Sequence, residues 1–85
     1  MEKKLSCEKI QMYKHVIYPK GTRIILLHMA DDPRPIPDNT RGTVDHVDDL
    51  GQIHCSFDNG RYLAMLPGVD RFRRLTEMEL YNEQA

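Results

Sequence analysis

The stretch "QIHCSFDNGRYLAML", residues 52–66, predicts a β-hairpin. Apolar and polar side chains alternate over its first six residues, which is typical of a half-buried strand. Asn59 and Gly60 follow, and this pair favours a two-residue type I′ turn because both central positions need a positive φ. The sequence therefore predicts two antiparallel strands, 52–57 and 61–66, joined by a tight turn.

A two-residue turn fixes the register of the two strands, and the register decides which side chains face the core. The predicted pairs, all but the first on the buried side, are Asp58 with Arg61, Phe57 with Tyr62, Cys55 with Ala64, and Ile53 with Leu66. The opposite side then carries His54 and Ser56. It also carries Leu63 and Met65, which need a cover because they are apolar. We expect a terminal helix there or, as the less favoured alternative, another subunit, so Leu63 and Met65 are candidate interface residues.

Three further segments have strand character and complete a mainly β domain. They are rich in β-branched or aromatic side chains and lie next to turn signals: 22–29, 42–47 and 71–75. Five short strands, a long first loop and tight turns predict a small SH3-like five-stranded antiparallel barrel, because a closed meander hides its edges. A split barrel, or a three-stranded sheet packed by helices, is the alternative.

Short helices are predicted at both ends of the barrel. Apolar side chains recur at helical spacing over 5–17. Near the C-terminus, Thr76 and Glu79 form a capping-box pattern, and Leu75 with Leu80 can form the matching hydrophobic staple. The chain divides into a basic N-terminal segment, which can be helical (1–20), the SH3-like barrel (21–75) and a short C-terminal helix (76–85).

Charge and composition limit the classes of function. The formal net charge is -1, with a basic start and an acidic middle, which argues against a protein that coats nucleic acid by bulk electrostatics. Cys7 and Cys55 are too few for a disulfide framework, and no secretory segment is visible. The longest apolar run, at 24–27, is too short to cross a bilayer. We expect a cytoplasmic protein with free thiols and no membrane partner.

The histidines and cysteines show no metal-binding spacing. His54 and Cys55 are neighbours on a predicted strand, so their side chains point to opposite faces. His28 and His46 could approach each other across paired strands, but no third ligand is evident. Surface or hydrogen-bonded strand histidines are the simpler interpretation.

Catalytic residues are not recognisable either. The acidic pairs at 31–32 and 48–49 could hold a hard cation, but aspartates in turns more often cap backbone N–H groups. Cys55 reads as an inert core residue. Neither a Gly-rich phosphate loop nor a nucleophile elbow is present. We therefore expect a protein that is not an enzyme and that has no cofactor and no metal.

The segment "DDPRPIPDNTRG", residues 31–42, holds three of the five prolines. Proline fixes its own φ and keeps the preceding residue extended, so the segment should be stiff. Rigid loops often carry binding function, because little order has to be gained on binding. The alternative is that the prolines only guide a long crossing over the barrel mouth, with Ile36 as a plug in its open end. Both interpretations can hold together, with Ile36 inward as the plug and Arg34 outward as a contact.

The motifs "DDPRPIP", "VDDLGQIH", "DNGR" and "PGVD" occur in this order within residues 21–72. In this arrangement they resemble a small family of domains of unknown function from Gram-positive bacteria and their phages and plasmids. Asn39 stands where that family usually has Gly, and Phe57 where it tends to have Trp. The resemblance implies a compact β-domain that is common on mobile elements, and it implies no activity.

The leading interpretation is a non-enzymatic binding module of a phage or mobile element. Its candidate ligand-binding residues are Asp32, Arg34, Asn59, Arg61 and His54. Guanidinium groups suit a small anionic ligand such as a nucleotide, or an acidic protein surface. One concrete version is an anti-defence protein that sequesters a host immune signalling nucleotide.

Two other functions stay open. A nucleic-acid-binding SH3-like domain is less favoured because the middle of the chain is acidic and lacks exposed aromatic pairs. A structural homo-oligomer is the third possibility. For Arg61, an ion pair with Asp58 across the hairpin is the structural alternative to ligand contact.

Overall fold

The computed structural model describes residues 18–30 and 32–84. They form, in chain order, β1 (Arg23–His28), β2 (Thr40–Val47), β3 (Ile53–Phe57), β4 (Tyr62–Met65), β5 (Arg71–Arg74) and α1 (Glu77–Gln84). All five predicted strands are present, with ends that differ from the prediction by at most two residues. The helix predicted over 5–17 lies outside the described residues.

The five strands form one antiparallel sheet in the order β4-β3-β2-β1-β5. The fifth strand returns to the first, so β1 is flanked by β2 and β5. Between β4 and β5 the described residues form no ladder, and only an isolated bridge joins Pro67 to Asp70. The mainly β, five-stranded antiparallel prediction is correct, whereas the sheet is open and a closed barrel is not confirmed.

One face of the sheet carries the core. Its fully buried side chains alternate along the strands, as a half-buried strand requires: Ile24, Leu26, Val44, Ile53, Cys55 and Met65. Ile36 from the β1–β2 connection joins them and is 1 % exposed. Each such aliphatic side chain contributes about 1.5–3 kcal/mol on burial, so this cluster dominates the stability of a small domain.

The predicted type I′ turn at Asn59-Gly60 is wrong, because the hairpin loop has three residues. The carbonyl of Phe57 accepts the Gly60 N–H at 2.9 Å, and the Phe57 N–H donates to the Arg61 carbonyl at 2.8 Å. Gly60 has φ 91°, but Asn59 is not left-handed: within the described residues the only non-glycine with positive φ is Asn39. This geometry is typical of three-residue hairpin loops, in which a type I turn is followed by a glycine in the left-handed conformation.

The extra loop residue shifts the register by one position, which inverts the faces of β4. The observed pairs are Ile53 with Met65, His54 with Ala64, Cys55 with Leu63, and Ser56 with Tyr62. Met65 is fully buried and Leu63 packs against the core, whereas Tyr62 is 52 % exposed. The predicted register is therefore wrong, and so is the premise that placed Leu63 and Met65 on an outer face.

The β2–β3 hairpin uses the same kind of loop. The Asp48 carbonyl accepts the Gly51 N–H at 3.0 Å, the Asp48 N–H donates to Gln52 at 3.0 Å, and Gly51 has φ 84°. A carboxylate oxygen of Asp48 also accepts the N–H groups of Leu50 and Gln52, both at 2.9 Å. Asp48 thus caps backbone N–H groups, as predicted for an aspartate in a turn.

Helix α1 begins at the predicted capping box. The Thr76 N–H donates to Glu79 Oε1 at 2.8 Å, and the Glu79 N–H donates to Thr76 Oγ1 at 3.1 Å. The helix buries none of its residues. In the part of the chain that the structure describes, no helix has the length and apolar character needed to span a membrane.

Candidate functional site

The proline-rich connection between β1 and β2 is anchored at both ends and in its middle. The Asn39 N–H donates to the Leu26 carbonyl at 2.7 Å, and Thr40 Oγ1 donates to the Pro37 carbonyl at 2.7 Å. Ile36 is buried in the core, which confirms its predicted inward position. At the start of the segment, Asp32 Oδ1 accepts the Arg34 N–H at 2.8 Å. Arg34 therefore lies between a local turn at Asp32 and the buried Ile36, which restrains the backbone two residues further on.

Arg61 connects this segment to the hairpin loop after β3. Its Nη1 donates to the Pro35 carbonyl at 3.4 Å, a long contact, and its N–H donates to Asn59 Oδ1 at 3.1 Å. The structure thus brings Arg61 and Asn59 next to the segment that carries Asp32 and Arg34. Four of the five predicted ligand-binding residues lie in these two neighbouring loops.

The two arginines of these loops differ in their charge environment from Arg23, Arg41 and Arg73, each of which pairs with a carboxylate, and resemble Arg71 and Arg74 of β5, which do not pair with one in the described part of the chain. Among the residues that the structure describes, neither Arg34 nor Arg61 has a carboxylate partner, and Arg34 is exposed. The ion pair between Arg61 and Asp58, the alternative to ligand contact, is not observed in the described part of the chain. Asp58 instead accepts two hydrogen bonds from Arg23, at 2.8 and 2.7 Å, which hold the pKa of Asp58 below its usual value. A guanidinium without an internal counter-ion remains available to an anion.

His54, the fifth predicted residue, lies elsewhere, on the outer face of β3. Its ring stacks on His46 with centroids 4.3 Å apart, and its Nε2 hydrogen-bonds with Asp48 Oδ2 at 2.8 Å. Desolvation favours neutral Asp48, but the hydrogen bonds with His54 and with backbone N–H groups outweigh it and lower the Asp48 pKa. His54 is therefore a hydrogen-bonded strand histidine. Among the described residues it contacts His46 and Asp48 and not the loop that carries Arg34.

A β-bulge in β2 creates the polar cluster around His54. The β2–β3 register shifts between Val44 and His46, so Asp45 and His46 both escape the core. Asp45 Oδ2 hydrogen-bonds with His46 at 2.7 Å and accepts the Tyr62 hydroxyl at 2.9 Å. These bonds hold the pKa of Asp45 below its usual value, while desolvation and the bond to Asp45 raise the Tyr62 pKa. Sequence reasoning missed this cluster because the wrong register put Tyr62 in the core.

The cluster does not form a metal centre. His46 lies against His54 rather than His28, whose Nδ1 is 3.0 Å from Asp38. Over residues 18–30 and 32–84, no group of three or more His, Cys, Asp or Glu is arranged to hold a metal ion. Cys55 is buried, and desolvation, with the charge of Asp45, raises its pKa to about 12. Its thiol is therefore neutral at physiological pH.

A second group of arginines lies under helix α1. Glu83 accepts hydrogen bonds from Arg23 at 3.0 and 2.6 Å and from Arg41 at 3.1 Å. Glu79 accepts two from Arg73, at 2.8 and 2.9 Å. Hydrogen bonds from these arginines lower the pKa of both glutamates to about 2, with the Thr76 N–H also contributing at Glu79. Here every guanidinium has an internal carboxylate, unlike at the proline-rich loop.

The fold and the loops define a small antiparallel β domain that carries a rigid, arginine-bearing connection at one end of its core. A family model described as Domain of unknown function (DUF4314) matches residues 6–75, and the chain belongs to this family. The resemblance to a small family of unknown function is thereby confirmed. No curated protein and no solved structure matches the chain significantly.

Proposed function

We propose that this protein is a non-enzymatic binding module for a small anionic ligand. Its site consists of the proline-rich segment, with Asp32 and Arg34, and the hairpin loop with Asn59 and Arg61. The observation that carries the proposal is the exposed Arg34, which has no carboxylate partner in the described residues and lies between a local turn at Asp32 and the buried Ile36.

The rigidity of the segment supports binding rather than a passive connection. Ordering a loop on association costs free energy, and a loop already fixed by Ile36 and by the Asp32 cap avoids much of that cost. A passive connection needs the Ile36 plug, but it does not need an unpaired arginine beside it. The contact between Arg61 and the Pro35 carbonyl brings a second cation to the same place.

Phosphate is the ligand group that best suits this pair of arginines. A guanidinium presents planar donors that match the oxygens of phosphate or carboxylate in a bidentate way. We therefore extend the proposal to nucleotides, including a host immune signalling nucleotide in the setting of a phage or mobile element. An acidic protein surface is the other chemistry that the same donors accept.

We also propose that the sheet belongs to an SH3-like barrel. The strand order returns β5 to β1, as a closing meander requires. Asp70, 6 % exposed, accepts the N–H groups of Ala30 at 2.9 Å and Leu66 at 2.8 Å, which draws the end of β4 towards the start of β5. A barrel end closed by Ile36 would place the arginine loops at its rim.

Thermal shift with a panel of anions tests the proposal. The panel contains inorganic phosphate, nucleoside mono-, di- and triphosphates, and cyclic mono- and dinucleotides. A ligand at 100 times its Kd stabilises the folded state by about 2.7 kcal/mol, which raises the melting temperature of a domain of this size by roughly 10–20 °C. The absence of a shift with every member of the panel would contradict the proposal.

Two variants and two controls locate the site. Arg34→Gln and Arg61→Gln should each weaken binding of the active anion at least about tenfold, because one charged hydrogen-bonding partner is worth roughly 1.5–3 kcal/mol. Arg34→Lys keeps the positive charge but loses the planar pair of donors of the guanidinium. If recognition is bidentate, its affinity should lie between those of the unmodified chain and Arg34→Gln. Lys20→Gln removes an exposed cation outside both loops and should leave affinity unchanged.

A further inference from the structure

The outer face of three neighbouring strands carries a row of arginines. Ile25 of β1 pairs with Arg41 of β2 on one side and with Arg73 of β5 on the other, so these three residues lie side by side. Arg23 lies two positions before Ile25 and therefore on the same face. We call Arg23, Arg41 and Arg73 the arginine face.

Helix α1 lies across this face and contacts it through its carboxylates. Residues four apart in a helix lie on one side, so Glu79 and Glu83 point the same way. Glu83 bonds to arginines of β1 and β2, and Glu79 bonds to the arginine of β5. The helix thus spans all three strands with two carboxylates.

The hold on the helix is weak. None of its residues is buried: Met78 and Tyr81 are 69 % and 70 % exposed, and Leu80 is half-buried. An isolated helix of this length is marginal, and exposed ion pairs typically contribute about 0–1 kcal/mol each. The family match ends at residue 75, immediately before this helix. Helix α1 therefore lies outside the matched domain, and within the described residues its hydrogen bonds to the sheet are those of Glu79 and Glu83 with arginines.

We infer that the arginine face is a docking site for an acidic helix of a partner protein, and that α1 is the internal occupant which the partner displaces. The partner helix carries two carboxylates four residues apart. Glu79 and Glu83 have this spacing and hydrogen-bond with the three arginines of the face. A phosphate backbone is the poorer fit, because the carboxylate of Asp58 is bonded to Arg23 within the face.

The test uses the full chain with Glu79→Gln and Glu83→Gln together. Glutamine also serves in a capping box, so the helix start is kept while both carboxylates are lost. The probe is a fluorescent peptide with the sequence TEMELYNEQA, residues 76–85, and binding is followed by anisotropy. The variant should bind it at least about tenfold more tightly than the unmodified chain, where the tethered helix competes at an effective concentration on the order of millimolar.

Matched controls separate docking from a general charge effect. Glu77→Gln removes a carboxylate of the same helix that makes no arginine contact in the described residues, and it should leave peptide binding unchanged. We call the Glu79→Gln, Glu83→Gln double variant the opened variant. Adding Arg41→Gln and Arg73→Gln to it should abolish its gain in peptide affinity. A probe peptide in which every glutamate is replaced by glutamine should abolish the gain as well. In the unmodified chain, excess peptide should shift the Arg23, Arg41 and Arg73 Nε–Hε resonances in NMR spectra.

Four results of the binding experiments, and a fifth from the oligomeric state, would overturn the inference. The four binding results are no gain in the opened variant, a gain that survives loss of Arg41 and Arg73, peptide-induced shifts outside the arginine face, and tighter binding of an oligothymidylate than of the peptide. The last result would reassign the face to phosphates. A dimer of the unmodified chain that the double glutamine variant dissociates would reassign it to helix exchange between two copies.

Discussion

Replacing Ile36 with alanine tests whether the proline-rich segment is fixed by its plug. The side chain is 1 % exposed and joins the core although its neighbours along the chain are exposed. Alanine removes roughly three methyl or methylene groups at about 0.8 kcal/mol each, and the residual cavity adds to this. We expect a loss of about 2–4 kcal/mol, a large part of the stability of a domain of this size.

The assay is urea unfolding followed by circular dichroism, supported by a thermal melt. A loss of that size should lower the melting temperature by roughly 10–25 °C. Ile36→Val should lose about 0.5–1.5 kcal/mol, and Leu50→Ala, at a side chain that is 77 % exposed, should change stability by less than about 0.5 kcal/mol. A loss below about 0.5 kcal/mol for Ile36→Ala would refute the claim that the core anchors this segment.

Three further outcomes are expected. Gly60→Ala should lower the free energy of unfolding by about 1–2 kcal/mol because the φ of Gly60 is 91°, although a Cβ would meet no atom within 4 Å. Asn59→Ala should lower it by less. Equal losses for the two variants in urea unfolding would indicate a type I′ turn. In a Cys7→Ser background, the buried and neutral Cys55 thiol should react with a thiol reagent only as fast as the protein unfolds, and fast labelling without denaturant would contradict this. The pKa of Glu83 is about 2 in the folded protein, below its unfolded value of about 4.3, so its contribution to stability is present above about pH 4.3 and is lost as the pH falls towards 2. Glu83→Gln should therefore make the free energy of unfolding fall less steeply with pH in that range. An unchanged pH dependence would argue against the arginine contacts.

The elements of this fold are predictable from local sequence, but the register of one hairpin is not. Asn59-Gly60 fits both a two-residue loop and a three-residue loop with a left-handed glycine, so local chemistry alone could not choose. The burial pattern held the decisive signal. The two-residue register leaves Leu63 and Met65 outside, whereas the observed register buries Met65 and exposes Tyr62.

The candidate site was predictable where it depends on neighbours in the chain. Proline stiffness predicted an outward Arg34 and an inward Ile36, and both orientations are observed. The contact of Arg61 with Pro35 joins residues 26 positions apart, and no local pattern encodes it. The sequence predicts His54 as a fifth ligand-binding residue, but the structure places it in a separate cluster with His46 and Asp48.

Strand β3 is bracketed by two loops of the same length and kind, one closed by Gly51 and one by Gly60. The length of each loop sets the register of the adjoining strands, because adding or deleting one residue would exchange the core-facing and solvent-facing sides of a strand. Natural or engineered length changes should therefore be rare at these two corners of the domain. Reporter groups or tags are better attached after the helix than inserted at either corner.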